Sequence, residues 1–163
     1  MKIAIFSDTH DNIWKLERAL GLMENADVLI HCGDLCSPFV IKQLGKAAHG
    51  RPVHVVWGNN EGDIRLICQI AEEYSNIQLH GELAELELDG LKLAVNHYPD
   101  IARSLANSVF YDLVCYGHDH TAYQGLIGDC ILLNPGEIMG LKGKTTFAFV
   151  DTQSHQVEFV EVE

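Results

Sequence analysis

Five short apolar runs in this chain each stop at side chains able to bind a metal, and that recurrence restricts the possible folds more than any other feature. The sharpest instance is the stretch Val28–Asp34, VLIHCGD. A run of Val, Leu and Ile ended by a glycine suits a strand buried on both faces of a parallel sheet. Gly33 permits a sharp turn, which leaves Asp34 at the carboxyl end of the strand, where open α/β sheets hold their ligands. One Asp after one strand is also an ordinary turn residue, so the weight lies in the repetition. KIAIFS (2–7) leads into Asp8-Thr9-His10, VHVVW (53–57) into Gly58-Asn59-Asn60, LKLAVN (91–96) into His97, and DLVCY (112–116) into Gly117-His118-Asp119-His120.

Between the first three runs lie helical patterns. Trp14, Leu16, Ala19, Leu20, Leu22 and Met23 recur at helical spacing, with Asn12 or Asp11 as cap. A second helix starts near Ser37-Pro38 and breaks at Gly50-Arg51-Pro52. Strand, helix, strand, helix, strand at this spacing is a βαβαβ unit with a parallel sheet. A third helix is expected over 63–74 and a weaker one after Pro99. Hairpins are expected for 83–88 with 91–96 across Asp89-Gly90, for 122–127 with 130–134 across Gly128-Asp129, and for 145–151 with 156–162. The expected architecture is α/β: a four-layer sandwich of two packed mixed β-sheets flanked by helices. With no linker, repeat or low-complexity segment, residues 1–163 read as a single domain.

A net charge of −12, from 11 Lys and Arg against 23 Asp and Glu, argues against long nucleic acid or an anionic membrane as partner. No apolar run approaches the ~18–20 residues of a membrane span, and a strand at the amino terminus argues against a cleaved signal. Five cysteines without framework spacing argue against a disulfide network and for the cytoplasm. Cys32-x3-Cys36 lacks the second pair that a zinc site would need. Nine histidines among many carboxylates are more informative, because imidazole with carboxylate suits Mn, Fe, Ni and Zn.

Singly, Asp8, Asp34 and Asn59 are caps or turn residues as readily as ligands. Together with His10, His97, His118 and His120 they make seven O and N donors, more than one tetrahedral ion uses and suited to two ions sharing a carboxylate. In extended chain, residues i and i+2 share a face, which would pair Asp8 with His10 and His118 with His120. Asp11 then reads as a cap and His31 as a hydrogen-bonded core or supporting histidine. His54 and His80 read as structural, and His49 and His155 as exposed. Cys32, Cys68, Cys115 and Cys130 read as packing residues, and Trp14 and Trp57 as core.

In order and spacing, D-x-H, G-D, G-N, a strand-end H and G-H-x-H resemble the calcineurin-like metallophosphoesterase family, especially its small single-domain prokaryotic members. The likeness runs from Asp8 to Asn134-Pro135-Gly136. It implies a first metal on Asp8, His10 and His120, a second on Asn59, His97 and His118, and Asp34 bridging them. The ions implied are two divalent cations, Mn, Fe, Ni or Zn, with Mn favoured. Asp34, His97 and Asn60 are then the residues expected to act in catalysis. The implied activity is phosphoesterase, a metal-bridging hydroxide attacking phosphorus, on phosphodiesters or activated esters rather than general monoesters. The implied partner is a small phosphate ester, and homo-oligomerisation stays open. The competing reading is a catalytically weak or inactive scaffold, as in a eukaryotic branch of the family that serves a membrane coat, although that branch has eroded ligands.

Three positions depart from the family pattern. Many members carry G-N-H-[DE], where the His is the presumed proton donor, and small prokaryotic ones often have Cys there; this chain has Gly58-Asn59-Asn60-Glu61. Asn60 has no proton to give up, although its amide can donate a hydrogen bond. Asn96 precedes His97 where Gly is usual. Glu137 follows Asn134-Pro135-Gly136 where Ser is usual, and a carboxylate lining the pocket there would repel phosphate.

Overall fold

The computed structural model describes all 163 residues. The βαβαβ unit is β1 (Lys2–Phe6), α1 (Ile13–Leu22), β2 (Val28–His31), α2 (Pro38–Ala47) and β3 (Val53–Val55). After it come α3 (Ile64–Ala71), β4 (Ile77–Leu79), β5 (Leu83–Leu88), β6 (Leu91–Asn96) and α4 (Pro99–Ala106). The chain ends with β7 (Leu113–Cys115), β8 (Tyr123–Ile127), β9 (Cys130–Asn134), β10 (Thr146–Asp151) and β11 (Val157–Glu161).

Two mixed sheets result, one in the order β11-β10-β1-β2-β3-β4 and the other β5-β6-β7-β9-β8. Strands β1 to β4 run parallel, with β10 antiparallel to β1. In the second sheet β6, β7 and β9 are parallel and the edges β5 and β8 antiparallel. The period-2 alternation of each strand divides its side chains between layers. Ile3, Ile5, Val28 and Ile30 meet Leu93, Val95, Leu113, Cys115, Ile131 and Leu133 between the sheets. Ala4, Phe6, Leu29, Val53 and Phe147 turn the other way, onto Leu16, Leu20, Val40, Ile41, Leu44 and Ile67 of α1, α2 and α3. Ala94, Val114 and Leu132 turn outward onto Ala102 and Ala106 of α4. This is the four-layer sandwich expected.

Several expectations are corrected. β4 went unforeseen because Ile77-Gln78-Leu79 is three residues of half-exposed edge strand, too short for a periodic signal. The two closing hairpins form as expected but join different sheets, β8–β9 beside β7 and β10–β11 beside β1. Trp14 is 71% exposed, so it is not core; α1 buries Leu16, Ala19 and Leu20 instead. Cys68 is only half-buried. Asn12 is the cap of α1, accepting from Lys15 N at 3.2 Å, while Asp11 accepts from Ser37 N at 2.9 Å and so ties this loop to the start of α2. The Asp89-Gly90 turn joins Leu88 to Leu91 with both residues left-handed, at φ 54° and 84°.

Candidate metal centre

Because β1, β2 and β3 are parallel neighbours, and β6 and β7 likewise, their carboxyl ends open onto one edge of the sandwich. The loops carrying Asp8-His10, Asp34, Asn59, His97 and His118-His120 converge there. The i+2 rationale for the ligand pairs fails, however. β1 ends at Phe6 and β7 at Cys115, so neither pair lies in extended chain. Asp8, His10, Asp34, His118 and His120 all adopt left-handed backbone, with φ of 52°, 39°, 59°, 73° and 59°. This conformation costs roughly 1 kcal/mol or more at a non-glycine residue. Its concentration at five of the seven candidate ligands marks a constellation held in place by its surroundings. Where loops touch, only glycine fits: a Cβ on Gly58 would strike the Asp34 carboxylate, and one on Gly33 (φ +98°) would meet the His97 ring.

Donor atoms of Asp8, His10, Asp34 and His120 lie within 4.8 Å of one another. His10 Nε2 is 3.7 Å from Asp8 Oδ1 and 3.4 Å from Asp34 Oδ2, and His120 Nε2 is 3.4 Å from Asp8 Oδ1. The His10 and His120 rings stack with centroids 5.1 Å apart. Asp8 and Asp34 are buried, yet Asp8 Oδ1 and His10 Nε2 have no hydrogen-bond partner. Orphaned buried donors and acceptors are rare, and a cation satisfies carboxylate oxygen and imidazole nitrogen together. The donor set fits a divalent ion.

His97, Asn59 and His118 form a second group, which meets the first at Asp34 through His97 and at Asp8 through His118. His97 Nδ1 donates to Cys32 O at 2.8 Å, which leaves Nε2 as the ring's lone pair, 3.4 Å from Asp34 Oδ2 and otherwise unpartnered. His118 Nδ1 faces Asn59 Oδ1 at 2.9 Å, and its ring meets His97 edge-on at 5.2 Å. His118 N donates to Asp8 Oδ2 at 3.1 Å, which joins the two groups. All seven residues are thus brought together around Asp34. Asn60 reaches the same carboxylate, its N and Nδ2 donating to Asp34 Oδ1 and Oδ2, each at 2.8 Å.

Sequence reasoning missed the residues that hold this arrangement. Glu61 accepts from Asp34 N, Leu35 N, Cys36 N and Gly58 N at 2.8–3.1 Å, pinning two ligand loops with one carboxylate. Asn134 donates to Gly117 O and Asp119 Oδ1 and accepts from Gly136 N, so the Asn134-Pro135-Gly136 turn braces the His118–His120 loop. Tyr98 packs against the His97 and His118 rings, with centroids 5.3 and 5.5 Å away. Glu137 corrects a further expectation. It does not face phosphate; it is fully buried, and its Oε2 accepts from His120 Nδ1 at 2.6 Å. His31 supports the site as foreseen, its Nδ1 accepting from Gly33 N at 3.1 Å and its Nε2 lying 3.2 Å from Thr9 Oγ1. His54 and His80, read as structural, bond each other at 2.9 Å.

The electrostatics follow from these contacts. The Asp8 carboxylate and the Cys36 thiol raise His10 to about 10 against the opposing effect of burial. Burial pushes the Asp34 carboxyl up, but His97 and Asn60 beside it outweigh burial and leave it below the usual carboxylate range. Burial lowers His97, and Asp34 reverses this to a net rise. The carboxylates thus draw both imidazoles towards the protonated form, and metal binding competes with those protons.

A model of the calcineurin-like phosphoesterase superfamily domain matches residues 1–155. The chain is 30% identical, over the full length of both proteins, to a phosphodiesterase of Methanocaldococcus jannaschii. A solved structure described as a novel archaeal phosphodiesterase superposes with a TM-score of 0.91 at 30% identity, covering 99% of this chain and 100% of that one. Vps29 from Entamoeba histolytica superposes with a TM-score of 0.69 at 16% identity over the whole of both chains, a likeness of fold alone. Fold, converging loops and sequence matches agree: the chain belongs to the calcineurin-like phosphoesterase superfamily.

Proposed function

We propose that this protein is a metal-dependent phosphodiesterase holding two divalent cations, Mn favoured, at the seven residues around Asp34. The buried, unpartnered Asp8 Oδ1, His10 Nε2 and His97 Nε2 are the observation that carries this reading. Asp8, His10 and His120 would hold one ion, Asn59, His97 and His118 the other, with Asp34 between them. Divalent ions bound there supply positive charge for the phosphoryl oxygens and a water acidified from ~15.7 towards ~7.

The chain's own contribution is orientation. The Cys32 carbonyl fixes the His97 tautomer, Glu61 fixes the Asp34 loop, and Asn60 holds Asp34 by two hydrogen bonds. The Asn60 amide, whose Nδ2 donates to Asp34 Oδ2, keeps a second hydrogen that would serve a phosphoryl oxygen, but it supplies no proton to a leaving alkoxide. General-acid help is worth ~10²–10⁴-fold, so good leaving groups, as in aryl diesters, suit this site better than alkyl monoesters. The acidic chain favours small esters and short nucleotides over long nucleic acid.

Chelated protein assayed on aryl diesters, cyclic nucleotides and monoesters, with each metal added back, tests this reading. Diesterase activity restored by Mn²⁺ is expected. Stoichiometric metal binding with no turnover on any ester would transfer the protein to the scaffold reading. Asn60→His is expected to raise alkyl ester turnover, and an unchanged or lower rate would remove the role given to Asn60.

A further inference from the structure

We propose that Glu137 is a positioning residue for the metal centre: it fixes the tautomer and aim of His120 and thereby sets how tightly the Asp8–His10–Asp34 cluster holds a divalent cation. The inference rests on the metal reading above. Glu137 is fully buried, and each of its carboxylate oxygens has its own fixed partners. Oε2 lies 2.6 Å from His120 Nδ1, and Oε1 accepts from Lys142 N at 2.6 Å and Gly143 N at 2.9 Å. The backbone is fixed as well, the Glu137 carbonyl accepting from Thr146 N at 3.0 Å. A carboxylate so anchored cannot swing away from the ring.

The chemical consequence follows from the donor inventory. A carboxylate accepts, so His120 Nδ1 carries the hydrogen and Nε2 keeps the lone pair. That Nε2 is the atom 3.4 Å from Asp8 Oδ1. A carboxylate behind a ligating imidazole also strengthens it as a donor. No other candidate histidine has this support. His97 Nδ1 donates to a backbone carbonyl, His10 Nδ1 faces the Cys36 thiol at 3.5 Å, and His118 Nδ1 faces Asn59. The influence of Glu137 is therefore confined to one of the two ion positions, which a role in bracing the loop at Lys142–Gly143 would not produce.

The test uses the full-length protein, its E137Q and E137S variants, and cadmium as the probe ion. Histidine nitrogen NMR of the metal-free wild type is expected to find His120 protonated at Nδ1. Cadmium NMR with calorimetry is expected to show one position weakened by about 10–100-fold in E137S. E137Q should weaken the same position by no more than E137S, since its one acceptor oxygen serves either His120 Nδ1 or the Lys142 and Gly143 N–H groups. The second position should stay near wild type, whereas the melting temperature of metal-free E137S should fall, because Lys142 N and Gly143 N lose their acceptor. A wild-type His120 with no hydrogen on Nδ1 would overturn the proposal even if neither variant folds, as would equal weakening of both positions or none. A wild type that takes up no cadmium removes the metal reading itself, whereas uptake insensitive to Glu137 removes only this inference.

Discussion

The two halves of the candidate site are built on different principles. Asp8, His10, Asp34 and His120 are mostly buried, four of four lie in left-handed backbone, and their donor atoms already stand within 4.8 Å of each other. Asn59 and His118 of the other half are exposed and satisfy each other at 2.9 Å, and only His97 points an unpartnered nitrogen inward. The first half also holds a carboxylate of its own, Asp8, while the second offers a neutral amide and two imidazoles. His118 shares the left-handed backbone, so the first half differs mainly in desolvation, which leaves Asp8 Oδ1 and His10 Nε2 unpartnered where a cation would satisfy them. The open half is less shielded from water, with Asn59 and His118 both exposed. One half is preorganised and the other adjustable, as suits a site that must grip a cofactor and still admit a substrate.

Asp34 belongs to both halves, so Asp34→Asn breaks the comparison most completely. A turnover loss on the order of 10³-fold or more is expected, with far-UV circular dichroism near wild type. Turnover within tenfold of wild type would show that the two halves do not share this carboxylate. Glu61→Ala comes next, because it removes the acceptor for four backbone N–H groups, three of them in the Asp34 loop of the preorganised half. A destabilisation of about 3 kcal/mol is expected, read from urea unfolding of the metal-free protein. A loss below about 1 kcal/mol would mean that water replaces the carboxylate and the loop is not held by it.

Much of this was legible in the sequence, for a physical reason. Strands buried on both faces read as uninterrupted apolar runs, and a ligand can stand only where such a run stops, so VLIHCGD and DLVCY announced Asp34 and His118-His120. The supports were not legible. Glu61 and Glu137 act through contacts to residues 17 to 27 positions away, and nothing local distinguishes them from solvated carboxylates. The left-handed backbone was likewise hidden, because Asp and His carry no local signal for φ > 0 as strong as glycine's. The split of the closing hairpins between sheets depends on which sheet edge is vacant, which local pattern does not encode. Trp14 was misjudged because helical spacing marks a face, and this ring sits at the exposed start of α1.

His31, beneath the preorganised half, gives a smaller effect with a definite sign. Burial pushes its imidazole down to about 3 from an ordinary 6.5. The unfolded chain therefore binds a proton that the folded one refuses, so stability is full above pH 6.5 and falls as pH drops towards 3. The slope is about 1.4 kcal/mol per pH unit from this residue. Urea midpoints at pH 7.5 and pH 5 for wild type and His31→Gln measure it. The variant should lose about 2 kcal/mol less over that interval, and equal losses would show that His31 is not held neutral.

The smallest expected effect bears most directly on the contrast between the halves. If preorganisation and charge both favour the first half, Mn²⁺ added to metal-free protein should enter it first. A difference of about tenfold in affinity, or 1.4 kcal/mol, is enough to separate the two steps. Electron paramagnetic resonance distinguishes them, since the first equivalent should give an isolated-ion spectrum and only the second a spin-coupled pair. Asn59→Asp then gives the open half the carboxylate it lacks and still leaves an oxygen to accept from His118 Nδ1. The two affinities should converge, and coupled pairs should appear within the first equivalent. Coupled pairs in wild type from the start would mean that the missing carboxylate and the exposure of Asn59 and His118 cost the second ion nothing. The exposed half would then be as ready to bind as the buried one, and the strain stored at Asp8, His10, Asp34 and His120 would serve alignment rather than affinity.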